Sequence, residues 1–159
     1  MRLSKSRFTT GLQCHKRLYL QVHRPELAAQ PDESQQARFD QGTEVGRVAR
    51  GLFPEGVLVE AEPSEMNKAL AQTSRLVADG KAPAVFEATF DHQKVLVRVD
   101  VLQRSAKGKR WKLIEVKSST AMKDYYIPDV AIQRFVLEGS GFSVIPCQSR
   151  SEYLASSGL

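Results

Sequence analysis

Apolar positions fall into two regimes along the chain. In the first half they recur at helical intervals. Ser4 leads into Phe8, Leu12, Leu18 and Leu20, the pattern of one or two short helices with Lys and Arg on the polar side. Residues 27–34, with Pro31 and the Asp32-Glu33 pair just beyond Pro25, read as a loop entering a helix. That helix is predicted over 35–52, with Val45, Val48, Ala49 and Leu52 as its stripe and Pro54 and Gly56 as its end. A second is predicted over 64–79 on Met66, Ala69, Leu70, Thr73, Leu76 and Val77, stopped by Gly80.

The pattern then changes to that of strands. Residues 85–90 and 94–102 predict two strands joined around Asp91-His92-Gln93, and 110–117 a third after the polar loop 103–109. A helix over 128–137 follows, with Pro128 tolerated in its first turn and Gly139 closing it, and residues 142–147 read as a final strand. Helices, a three-strand meander, a helix and a strand make an α+β chain whose last two elements admit a parallel crossover.

At 159 residues this is the size of one domain, with a helical part over 1–80 and a sheet-bearing core over 81–150. A chain of this length buries about 70% of its unfolded surface and needs no staple. The 42% hydrophobic and 26% charged composition excludes bulk disorder, collagen and coiled coil. No run approaches the ~18 apolar residues of a membrane helix, and the first residues lack the apolar core of a signal peptide, so a cytoplasmic location is expected. The balance of 23 basic to 18 acidic residues permits a polyanionic partner without demanding one. Cys14 and Cys147 show neither zinc-ribbon nor disulfide-scaffold spacing.

The strands hold the chemistry. Leu96, Arg98, Asp100 and Leu102 share one parity, as do Trp111, Leu113, Glu115 and Lys117. A hairpin centred on Lys107-Gly108 sets Asp100 across from Glu115 and Arg98 across from Lys117. Facing carboxylates repel, as do facing cations. A divalent cation between the acids would relieve the first repulsion, and a phosphate beside the cations the second. Hard oxygen ligands of this kind suit Mg²⁺ or Mn²⁺. The alternative is a solvated sheet edge, or Glu115 paired with Lys117.

Asp100, fourteen intervening residues and then Glu115-Val116-Lys117 resemble the signature of PD-(D/E)XK nucleases. The wider pattern is similar to their RecB-like branch, which includes CRISPR-associated RecB-like exonucleases. Its supporting pieces are residues 39–46 on the first long helix, Lys117-Ser118-Ser119-Thr120, Asp129-Val130-Ala131-Ile132-Gln133, and the opening Leu3-Ser4-Lys5-Ser6-Arg7-Phe8 with Gly11-Leu12-Gln13-Cys14. The resemblance implies a restriction-endonuclease-like α/β/α core, a mixed central sheet flanked by helices. It also implies metal-dependent hydrolysis of DNA, with RNA an open second substrate and a larger nuclease, repair or defence complex as a setting.

Within that resemblance, Asp100, Glu115 and the Val116 carbonyl would hold the metal, and Lys117 would orient the attacking water and offset charge on the phosphate. Gln133 would position substrate or the catalytic loop. Glu44 and Glu87 are candidates for a second metal. Lys5, Arg7, Arg17, Arg98, Lys123 and Tyr126 are the expected nucleic-acid contacts. The helix position that often carries a metal-binding histidine in the branch is Gly46 here. Two cysteines exclude a complete intramolecular four-cysteine iron–sulfur cluster. Two other readings stand beside the enzyme: a nucleic-acid-binding module of the same fold without catalysis, and a protein-interaction domain whose basic surface meets an acidic partner.

Overall fold

The computed structural model describes residues 2–62, 64–106, 108–118, 124 and 126–145. Their elements run β1 (Leu3–Ser4), α1 (Lys5–Gln13), α2 (His15–His23), a short 3-10 turn (Pro25–Leu27), α3 (Glu33–Gly51), β2 (Val57–Leu58), α4 (Met66–Asp79), β3 (Ala84–His92), β4 (Val95–Arg104), β5 (Trp111–Ile114) and α5 (Tyr126–Gly139). This is a mixed α/β fold. No described helix is long and apolar enough to cross a membrane.

Local chemistry sets the helix ends. Ser4 caps α1, its hydroxyl accepting from the Arg7 N–H at 3.3 Å, and Asp32 caps α3 by accepting from the Gln35 N–H at 2.7 Å. Gly80 ends α4 in the left-handed conformation, φ 71°, which glycine adopts without a Cβ penalty.

The sheet is built around β4. One of its edges carries β3 along most of its length, antiparallel from His92↔Val95 to Ala84↔Gln103. Its other edge is divided. Parallel β1 takes Val95 and Leu96, while antiparallel β5 takes the stretch from Val101 to Arg104. Residues 97–100 lie between the two, and β1 and β5 run toward each other along that edge. The residues that follow these strands, Lys5 and Glu115, are thereby brought together across 110 positions of sequence. Strand β2 adds parallel to β3, and Val144, reached through α5, bridges parallel to Trp111.

The main core joins Val85, Ala88, Phe90, Val97, Val99 and Leu102 of the sheet to Ala69 of α4 and to Val136 and Leu137 of α5. A smaller one holds Ala84, Phe86, Val101 and Ile114. Val101 is thus grouped apart from Val97 and Val99, with which simple alternation would place it. Pairing between β3 and β4 also lapses at one level. Phe86↔Val101 and Ala88↔Val99 pair, but Glu87, with a left-handed backbone at φ 57°, forms no ladder pair with Asp100 between them. For a non-glycine residue this conformation costs on the order of 1–3 kcal/mol, and such strain concentrates at functional sites. Just beyond it, the buried Thr89 N–H donates to Thr73 Oγ1 of α4 at 2.9 Å. Thr73→Val should leave that donor unpaired and lower the unfolding free energy by about 1–3 kcal/mol, measured by urea denaturation.

The two-residue strands β1 and β2 have no counterpart in the sequence reading, because two residues carry no period. Helix α5 starts two residues before 128, and β5 stops at Ile114 instead of reaching 117. It stops because the Val116 N–H leaves the ladder direction for a side chain, the Asp100 carboxylate. The final strand is represented by Val144; Cys147 lies outside the described residues.

Candidate functional site

The register of β4 and β5, Val101↔Ile114 through Arg104↔Trp111, is the one expected from the hairpin, with its last pair one step short of Asp100 and Glu115. Asp100 Oδ2 accepts the Val116 N–H at 2.7 Å, which ties the Glu-x-Lys segment to β4 just where strand pairing ends. Burial, and then the charge of Glu115, push the Asp100 carboxyl up to about 7, against the pull of Lys5 and the Val116 N–H.

Glu115 takes the opposite course. Its side chain is 8% exposed, and burial alone would raise its pKa. Lys5 and Lys117 outweigh that and hold it below the ordinary carboxylate range. Lys5 Nζ donates to both carboxylate oxygens at 2.9 and 3.1 Å, Lys117 Nζ lies 2.7 Å from Oε1, and Gln133 Nε2 donates to Oε2 at 2.7 Å. Burial works against the Lys117 ammonium too, but Glu115 and Asp129 raise its pKa. In this arrangement Glu115 and Asp129 favour the charged form of Lys117.

Asp129 completes the network. Its Oδ2 lies 3.1 Å from Lys117 Nζ, its Oδ1 accepts from Thr9 Oγ1 at 3.0 Å, and its carbonyl accepts from Gln133 Nε2 at 3.0 Å. Asp129 lies within the Asp129–Gln133 motif, where its spacing from Gln133 marks it. The two are four apart on one helix and share a face. Gln133 is fully buried, and its Oε1 finds no donor among the described residues.

Beside Asp100 is a cavity of about 230 Å³, lined by Glu87, Asp100, Val101 and Val116 from the sheet and by Gly42, Thr43, Gly46 and Arg50 from α3. Gly42 and Gly46 leave open space where a side chain would stand, so this face of α3 does not fill the cavity.

Several expected contacts stand elsewhere. Glu44 is exposed and pairs with Arg47 at 2.6 Å; two positions from Gly46 turn it roughly 200° around α3, so it does not line the cavity. Lys5 is a half-buried counter-ion of Glu115 instead of a solvated phosphate contact, because β1 delivers it to that carboxylate. Arg98 does not face Lys117. It pairs with Glu87 at 2.9 Å and donates to the Ala61 carbonyl at 3.0 Å. Tyr126 is buried, with the Lys117 ammonium 5.3 Å from its ring centre, and offers no outward stacking surface. Arg7 is half-buried on α1, whereas Arg17 on α2 is exposed and bonds Gln13 at 3.3 Å. Lys123 lies outside the described residues.

The oxygen donors at this site suit a hard divalent cation. Among the described residues no three of His, Cys, Asp and Glu stand together as a ready metal cage. The carboxylates of Asp100 and Glu115 are the hard oxygen donors there, and the oxygens of Glu115 are taken by Lys5, Lys117 and Gln133. No family model matches the chain, and no curated protein matches it.

If Asp100 is a cation ligand it must ionise to bind, so Mn²⁺ affinity should rise with pH up to about 7 and level off above it. Isothermal titration calorimetry at pH 5.5, 6.5 and 8 checks this. A flat profile would show that Asp100 is no ligand.

Proposed function

We propose that this chain is a metal-dependent DNA nuclease of the PD-(D/E)XK type, with a restriction-endonuclease-like core and a pattern similar to the RecB-like branch. The observation that carries the reading is the convergence of Asp100, Glu115 and Lys117 where β1 and β5 leave one edge of β4 open, with Asp100 and Val116 lining a cavity large enough to admit a phosphate group.

Asp100, Glu115 and the Val116 carbonyl would hold Mg²⁺ or Mn²⁺. Such an ion supplies Lewis acidity, polarising a phosphate oxygen and acidifying a water. The Asp100 bond to the Val116 N–H fixes the strand end that presents Glu115 and Lys117. Gln133 holds the Glu115 carboxylate in one orientation. Lys117, kept charged by Glu115 and Asp129, aligns the attacking water and balances the charge that builds on the phosphate in the transition state. Exposed Arg17 on α2 meets the DNA backbone, a contact that adds affinity and salt dependence but no chemistry.

Saturation of Glu115 by Lys5, Lys117 and Gln133 favours a second reading, a nucleic-acid-binding module without catalysis. Incubation with linear duplex, circular duplex and single-stranded DNA, in EDTA and in Mg²⁺ or Mn²⁺, separates the two. The nuclease reading expects cleavage only with metal, and cutting of circles would mark endonuclease action. Binding without cleavage under every condition would select the module.

A further inference from the structure

We infer that Lys5 is a displaceable internal cation, which gives up its contact with Glu115 when a divalent ion binds there. The inference rests on the metal-binding reading of Asp100 and Glu115.

Both Glu115 oxygens are occupied by donors. Lys5 and Lys117 share Oε1, while Lys5 and Gln133 share Oε2. An incoming cation must therefore displace a donor, and the three are not equally held. Lys117 is anchored a second time, on the Asp129 carboxylate. Gln133 is fully buried and anchored a second time, on the Asp129 carbonyl. Lys5 Nζ hydrogen-bonds only to Glu115 among the described residues, and its other attraction is to the charge of Asp100.

The backbone under Lys5 is fixed, so only its side chain needs to move. Ser4 caps α1, and Thr9 Oγ1 bonds both the Lys5 carbonyl at 2.8 Å and Asp129 at 3.0 Å. The Lys5 side chain is already 22% exposed, and a flexible four-carbon stem can carry its ammonium into water. Topology explains why the cation is there: β1 ends at Ser4 beside β4, and the next residue faces the open stretch at 97–100. Its charge offsets a buried carboxylate, a role that a bound divalent ion would take over.

Two measurements test this. First, Mn²⁺ affinity is measured calorimetrically for wild type, Lys5→Gln, Lys5→Arg and Asp100→Asn. Removal of the competing charge should tighten binding by Lys5→Gln at least about fivefold, while Lys5→Arg stays at or below wild type and Asp100→Asn loses binding. Second, acetylation of the wild-type Lys5 amine by acetic anhydride, followed by mass spectrometry, should increase severalfold when Mn²⁺ saturates the site, and should not increase in Asp100→Asn. The labelling needs no Lys5 variant to fold. Unchanged affinity in Lys5→Gln together with Mn²⁺-independent labelling would overturn the role of Lys5 and leave the metal site standing. Absence of Mn²⁺ binding by both wild type and Lys5→Gln would overturn the metal site and the inference together.

Discussion

Neutralising the two acids should move stability in opposite directions. In EDTA at pH 8, Asp100→Asn is expected to unfold at a higher temperature than wild type, and Glu115→Gln at a lower one. The Asp100 carboxyl is held near 7 in the folded protein, well above its unfolded value, by burial and the charge of Glu115. Stability from such a group is full below about pH 4 and is lost as pH rises through 7. Asparagine removes that loss, a gain on the order of 1–3 kcal/mol at pH 8, while its amide oxygen can still accept the Val116 N–H.

Glu115 has the reverse sign. Its folded pKa is lowered, so its stabilisation is present above its unfolded value near 4 and is lost as pH falls through the folded one. Glutamine leaves the Lys5 and Lys117 ammoniums without their shared counter-ion in a half-buried place, a loss of roughly 3 kcal/mol and about 10 °C in melting temperature. Melting curves at pH 4 and pH 8 resolve both effects. The advantage of Asp100→Asn should close at pH 4. If that variant melts below wild type at both values, Asp100 is a structural residue whose charge the fold needs.

The second large effect lies in the transition state. Lys117→Ala should slow single-turnover cleavage by at least ~10²-fold, the scale of one preorganised electrostatic donor, while DNA affinity falls far less. Lys117 is held between Glu115 and Asp129, over the Tyr126 ring, and stays charged at neutral pH. Arg17→Ala provides the contrast. An exposed cation on α2 should weaken binding and flatten its salt dependence without changing the rate of the bound complex. Cleavage by Lys117→Ala at near the wild-type rate would remove this residue from the mechanism.

The long, periodic segments were legible in the sequence. The stripe of α4, the strands β3 and β4 and the register of β5 against β4 all follow from spacing, because each involves neighbours in sequence or one tight hairpin. That register was enough to bring Asp100 and Glu115 together. What spacing could not show were partners set by distant pairing. Lys5 reaches Glu115 only because β1 joins the edge of β4, and two residues of strand leave no pattern to read. Arg98 was expected to seek a phosphate beside Lys117, but β3 supplies Glu87 next to it, through a left-handed residue that alternation does not anticipate. Glu44 shows the converse: helical geometry already turned it away from the face of Gly46, and the cavity lining follows that geometry.

The most direct test of the central claim compares wild type and Asp100→Asn in Mn²⁺-dependent cleavage of end-labelled DNA under single-turnover conditions. Asp100→Asn is the variant expected to be the more stable of the two, so its loss of activity cannot be assigned to unfolding. The account predicts cleavage by wild type that requires metal, and none by Asp100→Asn although it still binds DNA. Cleavage by Asp100→Asn at the wild-type rate, or DNA left intact by folded wild type in Mg²⁺ and Mn²⁺, would contradict it.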